Sequence, residues 1–265
     1  MTCIFCQNFN NAKSIEHIVP ESFGNKSYTL EKGAICDKCN NGFSNFEGKA
    51  LTNSVFVMER IRFGIATKKG KPVKGKVNNL VVEADSEFKK NIITFKSVDP
   101  KNLKLIDPKT GAMALTVETF DKSESAVSKL LLTMGLESVY KSKKGIYDKY
   151  DFSELRDYIM NRNGIDWPFV DSQFTMPNFK SVPTFHDKHL LNKAHCKLQF
   201  REYNENTLLF KFVYGGVEMM TNLLNRNLEW IAEQNFTKKN SALHPEHYRK
   251  KIKTVGNRVD GSAIR

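Results

Sequence analysis

Two pairs of cysteines near the start of the chain constrain its fold more than any other feature. They are Cys3 with Cys6 and Cys36 with Cys39. Cysteines at this spacing can place two thiolates on one tight turn, and two such turns supply the ligands of a tetrahedral zinc site. A disulfide pair or unrelated core cysteines are the alternatives, but a repeated spacing in one short segment favours metal. Because four cysteines leave no open coordination position, we expect a structural zinc.

Between the two cysteine pairs, an acidic residue directly precedes a histidine. Glu16 and His17 lie in a β-branched run, residues 14–19, which predicts a short strand ended by Pro20. Neighbouring side chains on a strand point to opposite faces. One of the two residues can therefore reach a metal while the other reaches a water molecule.

The second cysteine pair runs directly into two asparagines. Asn40 and Asn41 open a predicted helix at residues 42–51. A strand histidine that faces an oxygen ligand on this helix would form a compact metal site.

These residues together resemble the zinc-knuckle branch of the HNH endonuclease family. The shared features are the two Cys-x2-Cys pairs, Glu-His-Ile-Val-Pro at 16–20 and Asn-Asn at 40–41, all within about the first 50 residues. The resemblance implies a ββα-metal fold that binds one divalent cation and cuts phosphodiester bonds.

The resemblance also implies a role for each matching residue. His17 matches the general base that activates the attacking water, and Glu16 matches the acidic metal ligand before it. Asn40 matches the last motif position, a second metal ligand, and Asn41 or Asn45 can share metal binding with it.

The family's middle asparagine, which steadies the histidine, has no evident counterpart in the loop at residues 24–35. Asn25 lies early in this loop for the role. The orientation of His17 is therefore not predicted.

The chemistry of these residue types agrees with phosphodiester hydrolysis. Histidine is the side chain whose unperturbed pKa lies near neutrality, as a general base requires. Carboxylate and amide oxygens suit Mg²⁺ or Mn²⁺ better than zinc. The alternative from another class is a non-catalytic zinc-knuckle regulator that binds nucleic acid, in which His17 only packs or caps.

Basic residues outnumber acidic ones, and the formal net charge of +12 favours an anionic polymer as partner. A segment at residues 60–76 carries no acidic residue and would emerge beside the cysteine-rich segment. It is expected either to bind a phosphate backbone or to form a solvated loop. DNA is favoured over RNA because the family resemblance points that way. The basic residues of this segment are Arg60, Arg62, Lys68, Lys69, Lys71, Lys74 and Lys76.

The chain is expected to be a cytoplasmic protein. Four of its five cysteines are placed for metal, which indicates a reducing compartment. It has no run of eighteen apolar residues, so we expect no membrane span. The 265 residues allow one large or two modest domains, and a homodimer is a further expectation.

We expect an α+β protein with a zinc-stapled ββα-metal HNH module followed by a larger mixed domain with an antiparallel sheet. The larger domain would select the substrate, sense a signal or mediate dimerisation. The resemblance further suggests a role in restriction or antiphage defence. The predicted units are an HNH module at 1–60, a basic connector at 61–77, the mixed domain at 78–236 and a basic tail at 237–265.

Hydrophobic patterns predict the elements of the larger domain. The strands are expected at 77–84, 91–96, 103–106 and 113–118, and as a hairpin at 196–203 and 207–214. Helices are expected at 123–144 and 153–163, and residues 217–234 are predicted as a strand followed by a helix.

Two further features receive weaker predictions. His186, His189, His195 and Cys196 match no compact ligand motif, so we expect Cys196 to be a small buried residue. The tail carries eight basic and two acidic residues, and it is expected to be a disordered arm for nucleic acid or a solubilising end.

Overall fold

The computed structural model describes residues 1–77, 80–98, 100–115, 123–161, 165–173, 196–233 and 241–249. His186, His189 and His195, for which no ligand motif was found, and most of the tail lie outside the described residues. The helices are α1 (Asp37–Ala50), α2 (Ser54–Arg62), α3 (Glu124–Ser142), α4 (Lys144–Lys149), α5 (Ser153–Met160) and α6 (Glu229–Glu233). The strands are β1 (Lys74–Val77), β2 (Leu80–Ala84), β3 (Ile93–Ser97), β4 (Leu103–Asp107), β5 (Ala112–Leu115), β6 (Phe169–Gln173), β7 (Cys196–Asn204), β8 (Thr207–Tyr214), β9 (Val217–Asn222) and β10 (Ser241–His244).

The N-terminal module consists of tight turns, an irregular hairpin and helix α1. The predicted strand at 14–19 is reduced to a single antiparallel bridge between His17 and Thr29. Helix α1 begins at Asp37 instead of after the asparagines, because the sulfur of Cys36 accepts a hydrogen bond from the backbone N–H of Cys39 and caps the helix.

Three antiparallel sheets follow, which confirms the expected mixture of helices and antiparallel strands. Strands β1, β2 and β3 form a meander beside α2, and β4 pairs with β5. The third sheet has the order β10-β6-β9-β8-β7, with the predicted hairpin β7–β8 at one edge. The region at 217–234 contains strand β9 and then helix α6, as predicted.

Helix α3 is the central helix of the fold. Nearly every residue from Ala126 to Val139 is buried, although the sequence predicts an amphipathic helix with one buried face. The reason is that α3 packs against α1 of the module and against α5 and β9 of the larger domain. A helix covered on several sides by other elements does not need a polar face.

One hydrophobic core runs through the module and the larger domain. Phe23 lies between the two paired segments of the module's hairpin, and its ring centroid lies 4.9 Å from that of Phe56 in α2. It also lies 4.7 Å from Tyr214 and 5.8 Å from Phe212, both in β8. The core therefore crosses the module boundary predicted at residue 60.

Part of the predicted basic tail is folded. Strand β10 pairs antiparallel with β6 and extends the five-stranded sheet. His244 at the end of β10 is buried, with Nδ1 2.7 Å from Glu124 and Nε2 2.7 Å from Asp171. A disordered arm is therefore excluded for residues 241–249, because burying His244 between two carboxylates fixes this segment to α3 and β6. Within the described residues, no helix is long and apolar enough to cross a membrane.

We predict that Phe23→Ala lowers the free energy of unfolding by about 3–5 kcal/mol, because it leaves a cavity where three aromatic side chains converge. Urea denaturation monitored by tryptophan fluorescence measures the change. Phe9→Ala is the matched control, since Phe9 lies in the same module and is 81% exposed. Similar losses for both variants would contradict a core shared between module and larger domain.

Candidate functional site

The four N-terminal cysteines converge on one point. Their sulfur atoms all lie within 4.8 Å of one another, and the sulfurs of Cys6 and Cys36 are 3.8 Å apart. A disulfide would require about 2 Å. A tetrahedral zinc ion with Zn–S bonds of about 2.3 Å separates its sulfurs by about 3.8 Å. The cluster is therefore compatible with the predicted structural zinc and not with a disulfide between these two cysteines.

Hydrogen bonds within the cluster favour the thiolate form that zinc requires. The backbone N–H of Cys36 donates to the sulfur of Cys3 at 3.4 Å. The hydrogen bond from the Cys39 side chain, together with the backbone donors, lowers the pKa of Cys3 to about 4. Zinc binds the deprotonated sulfur, so these contacts favour metal binding at Cys3. The hydrogen bond to Cys3 raises the pKa of Cys39, and burial raises that of Cys6.

The larger domain contacts the cysteine cluster through helix α5. The Nε of Arg156 donates to the carbonyl of Ile4 at 2.8 Å, within the first knuckle. The sulfur of Met160 lies 3.9 Å from that of Cys39, which belongs to the second cysteine pair. Both knuckles are thus held against the same helix.

The hairpin between the knuckles is fastened by a buried asparagine. The Asn25 side chain is 0% exposed and donates to the carbonyls of Val19 (2.6 Å) and Tyr28 (2.9 Å). Its Oδ1 accepts from the backbone N–H groups of Tyr28 and Ser27. Asn25 therefore connects the chain segment after His17 with the segment that pairs with it.

His17 lies at the surface end of this hairpin with its two ring nitrogens in different environments. Its side chain is 26% exposed, and Nε2 lies 3.5 Å from a carboxylate oxygen of Glu21. Nδ1 is buried and has no hydrogen-bond partner among the described residues. Glu21 in turn lies 3.8 Å from the ammonium group of Lys68.

Glu16 lies in a less polar environment than its neighbour. Burial, and then the negative charge of Glu47, raise the pKa of the Glu16 carboxyl to about 7, against weaker opposing effects from the His17 N–H and from Lys68. Burial also raises the pKa of Glu47. Two carboxyls that share a poorly solvated region are a common arrangement where a cation binds.

Helix α1 brings Glu47, and not Asn41 or Asn45, to the face nearest Glu16. Glu47 lies seven positions after Asn40, which is about two helical turns, so the two side chains lie on one face of the helix. Asn41 and Asn45 are rotated away by more than 90° and are exposed. This position does not support Asn41 as a ligand of the cation that Glu16 would hold. Within the described residues, no hydrogen bond joins the side chain of Asn40 to Glu16.

A third carboxyl reaches the same region from the larger domain. Glu137 of α3 is buried, and burial followed by the charges of Glu16 and Glu47 raises its pKa well above the ordinary value. Like charges in a region of low polarity raise one another's pKa because ionising both costs electrostatic energy.

These oxygen donors fit a hard divalent cation better than zinc. Glu16 and Glu47 supply partly buried carboxylates and Asn40 an amide, and poorly solvated acids gain from a bound cation. The carboxylates of Glu16, Glu47 and Glu137 do not form a group as compact as that of the four cysteine sulfurs. Among the described residues, only the cysteines form such a compact group.

The basic segment at 60–76 divides into a buried and an exposed part. Arg62 is 4% exposed and pairs with Glu59 at 2.5 Å, so it cannot meet a phosphate. Arg60 donates to the carbonyl of Ser22 at 2.8 Å. This packing removes both arginines from the predicted phosphate contacts. The exposed lysines are Lys68, Lys69, Lys71, Lys74 and Lys76.

A groove of about 800 Å³ opens on another face of α1, between that helix, the start of α3 and the end of α5. Phe43 and Phe46 line it together with Lys38, Lys49 and Lys129. The groove does not include His17 or Glu16 and lies beside the cysteine cluster. It is thus separate from the acidic region.

Sequence reasoning missed three residues of this region, Glu21, Glu47 and Glu137, and it placed Asn25 too early in its loop for the role of the middle asparagine. Helical spacing from Asn40 could have indicated Glu47. An isolated acidic residue in the apolar run 126–139 could have indicated Glu137, because buried helices rarely carry an unpaired charge. No local pattern distinguishes Glu21 from an ordinary surface carboxylate.

We predict that the purified protein contains one zinc ion per chain, and that Cys36→Ser loses it and unfolds at lower urea concentration. The reason is that Cys36 supplies a zinc ligand, and a serine hydroxyl can cap α1 but does not replace the thiolate. Metal analysis by mass spectrometry measures the zinc. Cys196→Ser is the control, since Cys196 lies in β7 outside the cluster, and it should keep its zinc. Zinc retained in Cys36→Ser would contradict the assignment.

A second prediction concerns pH in the absence of Mg²⁺ or Mn²⁺. The folded-state pKa of Glu16, about 7, exceeds the ordinary value of 4.5. Protonated Glu16 therefore makes its full contribution to the unfolding free energy below pH 4.5. This contribution, about 3 kcal/mol at most, is lost as the pH rises through 7. Glu16→Gln should lack this loss.

Urea denaturation of wild type and Glu16→Gln between pH 5.5 and 8 measures the effect. As the pH rises, the unfolding free energy of wild type should fall relative to that of Glu16→Gln. Glu87→Gln, at an exposed carboxyl, is the control. Parallel pH profiles for wild type and Glu16→Gln would contradict the buried environment of Glu16.

Comparison with known proteins identifies the N-terminal module. Residues 3–56 match a family described as HNH endonuclease. No curated protein and no solved structure matches the chain. The matched segment contains both cysteine pairs, Glu16, His17, Asn25 and Asn40, in agreement with the resemblance noted in the sequence. Residues 3–56 therefore form a domain of the HNH endonuclease family, with a four-cysteine cluster that fits a zinc knuckle.

Proposed function

We propose that this protein is a metal-dependent endonuclease that hydrolyses phosphodiester bonds of DNA. The observation that carries the proposal is the pair Glu16–His17 inside an HNH domain, with the histidine partly exposed and the carboxyl beside other buried acids. A protein that only binds nucleic acid has no need of a base next to a cluster of carboxyls.

His17 acts as the general base in this proposal. Its Nε2 is the ring nitrogen that faces Glu21, while the other nitrogen is buried. Nε2 therefore takes a proton from the attacking water. The Glu21 carboxylate lies 3.5 Å from this nitrogen, beside the position that the water would occupy.

Glu16 and Asn40 hold the divalent cation, Mg²⁺ or Mn²⁺, and Glu47 adds a carboxylate from the same helix face as Asn40. When bound, the cation stabilises negative charge on the phosphate and on the leaving oxygen. Glu16 must lose its proton to serve as a ligand, and a cation favours that loss.

Asn25 takes the role of the family's middle asparagine. Its four hydrogen bonds connect the segments that flank the bridge between His17 and Thr29. They keep the imidazole in a fixed orientation without touching it.

Lys68 and the exposed lysines after it form the phosphate contact of the proposal. The link from Lys68 through Glu21 to His17 supports this, because it places the basic segment beside the base. Action on DNA in preference to RNA, a role in restriction or antiphage defence and a homodimer belong to the same proposal. They are supported by the family resemblance and the net charge alone.

The expected result is that the protein cuts plasmid DNA when Mg²⁺, Mn²⁺ or Ni²⁺ is added, and that His17→Ala lowers the rate at least about a hundredfold. Gel analysis of supercoiled, nicked and linear plasmid measures the rate. His247→Ala, at an exposed histidine, is the matched control and should cut normally. Zinc content and unfolding should be unchanged in both variants.

Other outcomes would assign a different function. If wild type cuts neither plasmid, single-stranded DNA nor RNA but binds them with steep salt dependence, the protein is a zinc-knuckle regulator. If it cuts RNA only, the preference for DNA is wrong. If His17→Ala loses zinc or fails to fold, His17 is a structural residue.

A further inference from the structure

A single acidic residue lies buried in the middle of helix α3. Glu137 is 1% exposed, and its Oε1 is buried without a hydrogen-bond partner among the described residues. It lies about eighty residues beyond the segment that matches the HNH family, so the family match assigns it no role. Burying an unpaired carboxyl is costly, and its presence requires a physical reason.

The packing of α3 directs this face of the helix toward the catalytic hairpin. One turn beyond Glu137, Lys141 lies 3.5 Å from Glu31 of the module. At the end of the helix, the hydroxyl of Ser142 lies 2.8 Å from that of Tyr28. Glu31 directly follows Leu30, whose backbone N–H donates to the carbonyl of Glu16. Glu137 therefore lies on the face of α3 that packs towards the hairpin segment carrying Glu16.

The charges around Glu137 are negative. Those that act on it within the described residues belong to Glu16 and Glu47, and no lysine, arginine or histidine offsets them. The three glutamates come from three elements: the hairpin, α1 and α3. A divalent cation is the simplest partner that compensates three converging carboxyls.

We propose that Glu137 completes the cation site of the HNH module by accepting hydrogen bonds from water molecules bound to the cation that Glu16 holds. This inference rests on the proposed function. Contact through water fits the geometry, because within the described residues the cysteines, and not these carboxylates, form a compact group of ligand atoms. It also fits Mg²⁺, which usually keeps several of its waters in proteins.

A consequence is that the module does not contain its whole cation site. Glu137 is supplied by the larger domain, and its position depends on the packing of α1 against α3. Residues that act through bound water in this way typically change metal affinity 10–100-fold when they are altered.

The test measures Mn²⁺ binding to the full chain by electron paramagnetic resonance of the free ion, with zinc content checked in each sample. Glu137→Gln should weaken Mn²⁺ binding at least about tenfold. Glu137→Met, of similar volume, is measured in parallel so that the result does not depend on how one substitution packs. Glu31→Gln is the matched control, since it removes the ion pair to Lys141 in the same interface and should bind Mn²⁺ as wild type does.

Thermal unfolding gives a readout that does not depend on activity. Without Mn²⁺, Glu137→Gln should melt at or above the wild-type temperature, because it removes a buried unpaired acid. Saturating Mn²⁺ should raise the melting temperature of wild type more than that of the variant. A purely structural Glu137 would instead lower the melting temperature of the variant to the same extent with and without Mn²⁺, which would overturn the inference.

Glu16→Gln separates this inference from the proposed function. If Glu16→Gln loses Mn²⁺ but both Glu137 variants bind it like wild type, Glu137 is not part of the site and the nuclease proposal stands. If wild type binds no Mn²⁺ and cuts no nucleic acid, the inference and the proposed function both fail.

Discussion

The convergence of four cysteine sulfurs is the constraint on which the N-terminal module depends. It joins residues 3–6 to residues 36–39 and turns the intervening segment into a closed loop. The hairpin inside this loop has only an isolated bridge and a few backbone hydrogen bonds of its own. Closing the loop limits the conformations open to this short segment. Asn25 then needs only a few side-chain hydrogen bonds to fix the turn beyond His17.

The second organising interaction is the packing of the module on α3 and β8. The module is too small to bury Phe23 and Phe43 by itself, and the larger domain supplies the missing apolar surface. This explains why α3 is apolar almost all round its circumference. It also brings an acid from the larger domain into a region where Glu47 already raises the pKa of Glu16.

The sequence was sufficient to predict the local features of this protein. The cysteine spacing predicts the metal cluster, alternation predicts the hairpin β7–β8, and the family resemblance agrees with the match over residues 3–56. These features depend on residues that are close in the chain or share a fixed spacing. The start of α1 was missed because its cap is a cysteine of the four-sulfur cluster, which helix-capping rules do not include.

Long-range contacts could not be predicted in the same way. Nothing near Glu137 in the chain indicates that Glu16 lies beside it, and nothing near Arg62 distinguishes a buried partner of Glu59 from a phosphate contact. The folded part of the tail was missed for the same reason, since β10 acquires its partner from β6, about seventy residues earlier.

The continuous core also limits how this protein can have arisen by recombination. HNH modules that fold alone can be exchanged between genes as units. Here the exchangeable unit would have to include α3 as well as residues 3–56, because α3 covers the module's apolar face. Relatives of this protein are therefore expected to inherit the module and α3 together. The turn between β4 and β5 is exposed at residues 108–111, and it is free to vary in sequence between lineages.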